Sequence, residues 1–290
     1  MSIRIALLGA AGQLAADLRP LLPGSVVPLT HDDIELTDPA SIDRVFEAQA
    51  FDLVINAASY NLVDRAEQQP EPAFAVNAYG VRSLAQACAR RAVPLLHIST
   101  DYVFGGDSDR RTPYSESDCP APVSVYGVSK LAGEQFVRAI CPQHCIVRTC
   151  GLYGLAATRA KGNFLETMLR LAQTKPEVRV VDDQRCTPSF TEDVAAAIVA
   201  LIAANARGTF HVTNSGDATW RELAEELFRQ AGQSVRVTPI TSAEFGAAAR
   251  RPSYSVLDGL RLRAATGRDL PDWRDAVARY LKARQARPED

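Results

Sequence analysis

The 290-residue sequence has almost no net charge. Its 32 Lys and Arg stand against 34 Asp and Glu, leaving −2. A protein that holds nucleic acid by neutralising phosphates would be strongly basic, so that class is excluded. No apolar run reaches the roughly 18 residues needed to cross a bilayer, so no membrane partner is expected. Met1-Ser2-Ile3-Arg4 leads straight into an apolar strand, without the longer apolar stretch and small-residue cleavage site of a secretory leader. A cytoplasmic location is therefore expected. The six cysteines are Cys88, Cys119, Cys141, Cys145, Cys150 and Cys186. With this length, low density and no leader they do not form a disulfide framework. Cys141-Pro-Gln-His144-Cys145 is half of a metal pattern at best. No second ligand pair follows, so it reads as a turn before a strand and no metal is expected. Internal repeats and low-complexity linkers are also lacking.

What is present is apolar material in quantity. Hydrophobic residues make up 47% of the chain and charged residues 23%, enough for a sizeable core. At roughly 150 residues per domain the length allows two units, or one α/β domain with an elaboration. Short apolar runs alternate with amphipathic stretches through the first half: 4–8, 26–29, 53–56, 94–98 and 145–148. The runs are near-continuous, as in parallel strands covered on both faces. Asp38-Pro39 is a helix start. The spacing over 71–92 predicts a helix with Phe74, Val81, Leu84 and Cys88 inward. The fold class predicted is α/β, a Rossmann-type doubly wound parallel sheet with a smaller, interleaved C-terminal substrate-binding α/β region.

The second half is less regular. Residues 163–174 predict a helix with Phe164, Met168 and Leu171 inward, and 178–181 a strand. Thr219-Trp220-Arg221-Glu222 is a capping box, Thr241–Glu244 is another candidate, and Asp272-Trp273 opens a last helix with a polar tail that frays after Lys282. The expected division is a dinucleotide-binding core over 1–148, rejoined by about 172–225 and the last helix 272–285. Substrate binding falls to about 149–171 and 226–271.

Gly9-Ala-Ala-Gly12-Gln13-Leu14-Ala15 lies between the first strand and a helix. Glycines there let backbone approach a pyrophosphate at a helix N-terminus, which points to a dinucleotide site. The segment after the second strand, Thr30-His31-Asp32-Asp33, lacks both an acid at its start and any Arg or Lys between Arg19 and Arg44. NADPH and NADH both stay open as cofactor. Tyr126-Gly-Val-Ser-Lys130 is Tyr-x3-Lys, which one helical face would bring together. A lysine beside a phenol favours its phenolate and eases proton exchange with a carbonyl. Thr100, in Ser99-Thr-Asp-Tyr-Val-Phe104, follows a buried strand, where open α/β sheets bind ligands. Its hydroxyl can donate to the same carbonyl oxygen.

A glycine turn, a hydroxyl after a central strand and a Tyr-x3-Lys, in that order, resemble the extended short-chain dehydrogenase/reductases. Within them the chain is most similar to the dTDP-4-dehydrorhamnose reductase family. The similarity runs through nearly the whole chain. It is carried by Val54-Ile-Asn56-Ala57-Ala58, Val63-Asp64-Arg65-Ala66-Glu67, Asn77-Ala78, Ser99–Phe104, Tyr126–Glu134, Asn163-Phe164, Arg250-Arg251-Pro252 and Leu270-Pro-Asp-Trp273. The resemblance implies Thr100, Tyr126 and Lys130 as catalytic residues. It implies Gly9, Gly12, Gln13 and Leu14 at the cofactor diphosphate, Glu35 and Leu36 near the adenine, and Ala57, Ala58 and Ser59 along the cofactor. It implies Asp101 and Tyr102 at the sugar, and Asn163, Arg250 and Arg251 at the substrate diphosphate, where guanidinium groups hold phosphate oxygens bidentately. The partner implied is a small-molecule nucleotide sugar, and a homodimer is allowed.

The reaction implied is NAD(P)H-dependent reduction of a 4-keto nucleotide sugar. Dehydratases of the same superfamily carry Asp-Glu after the hydroxyl. This chain has Asp101-Tyr102, which favours a reductase. One departure concerns the sugar. The family often has an aromatic stacking residue where this chain has Gly151, in Arg148-Thr-Cys-Gly151-Leu-Tyr153. Two other readings compete. One is a non-catalytic, cofactor-binding regulatory subunit similar to the methionine adenosyltransferase β subunit. The other is a 4-ketoreductase or epimerase for a different nucleotide sugar.

Overall fold

The computed structural model describes residues 3–157 and 162–286. The five apolar runs of the first half form β1 (Arg4–Leu8), β2 (Ser25–Leu29), β3 (Leu53–Asn56), β4 (Leu95–Thr100) and β5 (His144–Thr149). They lie in one six-stranded parallel sheet that also takes in Gly208–His211 (β10), in the order β10-β5-β4-β3-β1-β2. Its sixth strand, β10 (Gly208–His211), comes from the second half, in a segment not assigned from sequence. Pro28 is accommodated because β2 is the sheet edge.

Strand side chains alternate between two buried faces. Ile5, Leu7, Ile55 and Val147 pack on one side against α1 (Gln13–Leu18), α8 (Thr191–Ala203) and Leu262 of α11 (Leu260–Thr266). Ala6, Leu8, Val54 and Ile146 face α2 (Pro39–Ala48), α5 (Val81–Arg90) and Val137 of α6 (Val125–Ile140). Each fully buried Leu or Ile contributes roughly 1.5–3 kcal/mol. Burial on both faces is why these strands read as continuous apolar runs.

The helix expected over 71–92 is broken. After α3 (Val63–Gln68) and α4 (Pro70–Phe74), a π-helical turn spans Ala75–Gly80 before α5. The wider turn shifts the helical phase. Val81, Leu84 and Cys88 are buried as expected, whereas Phe74 is only half-buried. The turn after α6 is closed by a contact of 2.7 Å between His144 Nδ1 and the Cys141 carbonyl.

The second half builds its own core. α7 (Phe164–Ala172), α9 (Trp220–Gln230) and α12 (Trp273–Gln285) cluster with Val178 and Val180 of β7 (Glu177–Val181). The expected inward face of α7 is displaced: Leu165, Met168 and Leu169 are buried, while Phe164 and Leu171 are half-buried. Asn163 caps the helix one residue before Phe164, accepting from the Glu166 amide at 3.0 Å. Small strand pairs complete the region. β6 (Leu152–Tyr153) pairs with β9 (Ser189–Phe190), β8 (Arg185–Cys186) with β11 (Ala218–Thr219), and β7 with β12 (Arg236–Ile240). α10 (Ser242–Phe245) follows, behind a capping box on Thr241. The last helix, expected with the dinucleotide half, packs instead in this second core through Trp273, Val277 and Tyr280. It continues to Gln285; residues 287–290, in the tail expected to fray, lie outside the described residues. No helix among the described residues is long and apolar enough to cross a membrane.

Candidate active site

A cavity of about 910 Å³ opens beyond the C-terminal ends of β1, β3 and β4. This is where strand order reverses: β2 lies on one side of β1 and β3 on the other. Open parallel sheets bind ligands at such a switch point. Of the glycine-turn residues, Gly9, Gly12, Gln13 and Leu14 all line the cavity, as do Ala57 and Ser59 after β3. Gly9 has φ +74°, and a Cβ there would come 2.6 Å from the Ala58 nitrogen. Only glycine can hold this turn against the neighbouring loop. Gly12 precedes α1, and no side chain caps that helix. Its first N–H groups are therefore available to an anion. These features fit a dinucleotide diphosphate.

Tyr126 and Lys130 lie on α6. Ser124 caps this helix by accepting from the Gly127 amide at 3.2 Å, and Glu67 Oε1 accepts from the Val125 amide at 2.8 Å. Gly127 lets the first turn close in, since a Cβ would sit 2.2 Å from the Tyr102 carbonyl oxygen. Tyr126 consequently packs edge-on against Tyr102, with ring centroids 5.8 Å apart. Burial pushes the Tyr126 phenol up to about 12, opposed by the hydroxyls of Thr100 and Ser59 beside it. The phenol is therefore protonated at neutral pH and able to donate. Lys130 is buried, and burial lowers its ammonium to about 8. Its Nζ donates to the Ile98 carbonyl at 2.7 Å.

Thr100 Oγ1 donates to Asp101 Oδ1 at 3.1 Å and accepts from the Tyr102 amide at 3.2 Å. Its one proton can reach a substrate oxygen only if it leaves Asp101. Asp101 is buried and its carboxyl is raised by burial, against donors from Ser255 (2.6 Å) and Cys150 (3.0 Å). Arg251 lines the same cavity and makes a two-pronged pair with Asp64, at 2.7 and 3.1 Å.

Beneath these groups runs a buried ionic mesh. Glu134 accepts from Arg148 at 2.8 and 2.7 Å, from Arg138 at 2.8 Å and from Ser99 at 2.6 Å. Hydrogen bonds and the two guanidinium charges outweigh burial and hold its carboxyl below the usual range. Asn77, on the π turn, accepts from Ser59 Oγ and the Tyr60 amide and donates to the Tyr60 carbonyl and Ser129 Oγ, at 2.9–3.1 Å. It fixes the loop that presents Ser59.

Five residues expected at the site do not line it. Glu35 accepts from the Thr37 amide and hydroxyl, both at 2.7 Å, in a local turn. Leu36 is buried in the core against α2 and α5. Ala58 sits behind Gly9. Asn163 caps α7 and donates to the Gly154 carbonyl at 3.0 Å. Arg250 is exposed, unlike its neighbour Arg251. Glu134, Arg148, Ser255 and Trp220 were not singled out as site residues from sequence. A signal existed for two of them. Arg148 interrupts an apolar strand, and Lys130, Glu134 and Arg138 share one helical face at spacing four. Among the described residues no group of three or more His, Cys, Asp or Glu could hold a metal.

Comparison with known proteins gives consistent matches. The RmlD substrate binding domain family matches residues 3–286. A dTDP-4-dehydrorhamnose reductase of Sinorhizobium fredii is 37% identical, covering 97% of each chain. A dTDP-4-keto-6-deoxy-D-glucose reductase of Streptomyces niveus is 40% identical, covering 96% of each. A crystal structure of dTDP-4-dehydrorhamnose reductase from Bacillus anthracis in complex with NADP superimposes with a TM-score of 0.92. That chain is 36% identical, and the match covers 98% of this chain and all of that one.

Proposed function

This chain belongs to the RmlD substrate binding domain family, and from that premise we propose that it reduces the 4-keto group of dTDP-4-dehydro-L-rhamnose to give dTDP-L-rhamnose. The observation that carries the reading is convergence. Tyr126, Lys130 and Thr100 meet the open glycine turn and Arg251 in one cavity. A regulatory subunit would have no chemical need for that set.

Gly9, Gly12, Gln13, Leu14, Ala57 and Ser59 would hold a nicotinamide dinucleotide, NADPH or NADH. A relative of this chain is solved with NADP, which supports the former. Bound there, the cofactor supplies hydride for carbonyl reduction. Tyr126 donates its proton to the alkoxide oxygen that develops. Lys130, charged below pH of about 8, stabilises the phenolate left behind. Thr100 turns from Asp101 to hold the same oxygen. Asp101 and Tyr102 seat the sugar, and Arg251, steadied by Asp64, faces the substrate diphosphate. Glu35, Leu36 and Ala58 support the cofactor side from behind the lining, Asn163 holds the start of α7, and Arg250 faces solvent beside Arg251. In this reading the sheet with α8 and β10 carries the dinucleotide, and the second core closes the sugar side. A cytoplasmic location and a homodimer are part of the reading, checked by fractionation and light scattering.

The test is loss of NADPH or NADH absorbance with dTDP-4-keto-6-deoxy sugar made in situ from dTDP-glucose by dehydratase and epimerase. Oxidation that depends on the epimerase is expected. No oxidation despite cofactor binding would reject the reading in favour of a binding subunit. Gly151 favours a second reading, a 4-ketoreductase of another dTDP sugar, and the Streptomyces niveus relative is named for such a reaction. Oxidation without the epimerase would select it.

A further inference from the structure

The wall next to Gly151 is not empty. Gly151 has φ +52°, and a Cβ built on it would sit 3.6 Å from Trp220 Cη2, 3.2 Å from Pro188 Cα and 3.7 Å from the Thr187 carbonyl oxygen. The tip of the indole therefore lies in van der Waals contact with the place where a side chain at 151 would begin. Trp220 is the first residue of α9, 69 positions further along the chain. Phe164 packs on it with ring centroids 4.8 Å apart, and both rings line the cavity.

Several contacts fix the backbone that carries Trp220. Thr219 and Glu222 close a capping box immediately around it. Thr219 Oγ1 also donates to Asp182 Oδ1 at 2.7 Å, and β11 pairs with β8 through Ala218 and Thr219. Arg185 clamps the turn by donating to Asp217 at 2.6 Å and Glu222 at 3.0 Å. The distance to the reacting end is short. Thr149 is the register partner of Thr100. Gly151 lies two residues on, no more than about 7 Å of chain, which is near the span of one pyranose ring.

We infer that Trp220, seated beside Gly151 and backed by Phe164, is the surface on which the sugar ring packs, and so the residue that selects the sugar. This rests on the proposed reductase reading and names its sugar contact. A pyranose presents C–H bonds on one face, and a 6-deoxy sugar adds a methyl group. A rigid indole buries both at low entropic cost. Left-handed backbone at 151 disfavours any β-carbon, so the partner has to come from elsewhere in the fold. The loop 149–151 supplies the space and α9 supplies the ring.

The test compares wild type, Trp220→Ala and Trp220→Phe by steady-state kinetics with dTDP-4-dehydro-L-rhamnose. Trp220→Ala should raise KM about tenfold or more, with kcat changed less than about threefold and the NADPH Kd within about twofold. Trp220→Phe should recover most of the loss. A KM for Trp220→Ala within about twofold of a normally active wild type overturns this inference alone. A wild type that does not turn over defeats the reductase reading and this inference with it. A second measurement needs no substitution. The chain has two tryptophans, and Trp273 is 1% exposed, so acrylamide quenching reports Trp220. Saturating dTDP-L-rhamnose should protect Trp220, and dTDP alone should not. Equal quenching with and without the bound sugar nucleotide, binding being followed by calorimetry, overturns the inference even if the alanine variant fails to fold.

Discussion

Behind Ser99, which lines the cavity and forms its floor, lies a mesh of buried charge. Glu134 is fully buried and Arg148 is 1% exposed, and each satisfies the other. The wall supplied by the second core is built differently. Its rings, Phe164 and Trp220, are half-buried, and the ion pairs that steady it, such as Arg185–Glu222, are about a third exposed. Removing one partner from a desolvated pair strands a charge, whereas an aromatic contact can be exchanged for another of similar size. The floor is thus resistant to change one residue at a time, and the wall is adjustable. That suits a site whose chemistry is constant while its sugar varies.

The comparison can be tested from both sides. The largest effect belongs to Tyr126→Phe, which should lower kcat by about 10³-fold and leave the NADPH Kd within about twofold; a near wild-type kcat would reject Tyr126 as the proton donor. Next is Glu134→Gln. It leaves the Arg148 charge buried without its counter-charge and should destabilise by about 3 kcal/mol, read as a fall in Tm of about 6 °C. An unchanged Tm would mean the floor is no more constrained than the wall. A smaller effect comes with pH. The Lys130 charge is present below about 8 and lost above it, while Tyr126 stays protonated to about 12. The kcat/KM profile, which reports the free enzyme, should fall through about pH 8. A flat profile to pH 10 would remove Lys130 from the free-enzyme chemistry. The smallest is Asp64→Asn. Asp64 is half exposed, so the loss of its pair with Arg251 should cost less than about 1 kcal/mol in stability. The KM for the nucleotide sugar should still change, because Arg251 loses its steadying partner.

Much of this was legible in the sequence. The first five strands, the Asp38 and Thr219 caps and the placement of Gly9, Tyr126, Lys130 and Thr100 on strand ends and helix starts all follow from local pattern. The misreadings are local patterns overridden by packing. Phe74 lost its inward position to a π turn, and Phe164 of α7 packs on Trp220 at the cavity. For Asn163 and Arg250 motif membership implied ligand contacts but does not say which way a side chain points. One is a helix cap and the other faces solvent.

The sequence by itself determined the sheet's apolar strands, the glycine turn and the placing of Tyr126 and Lys130 four apart on one helix, since all depend on residues within one helical turn or one strand repeat. Only the tertiary structure decided the groups that act across distance. Ser255 reaches Asp101 across 154 residues and Arg251 reaches Asp64 across 187. Trp220 comes to fill the space beside Gly151. Such contacts leave no periodicity in the chain, because they depend on which faces of separate elements the common core presses together.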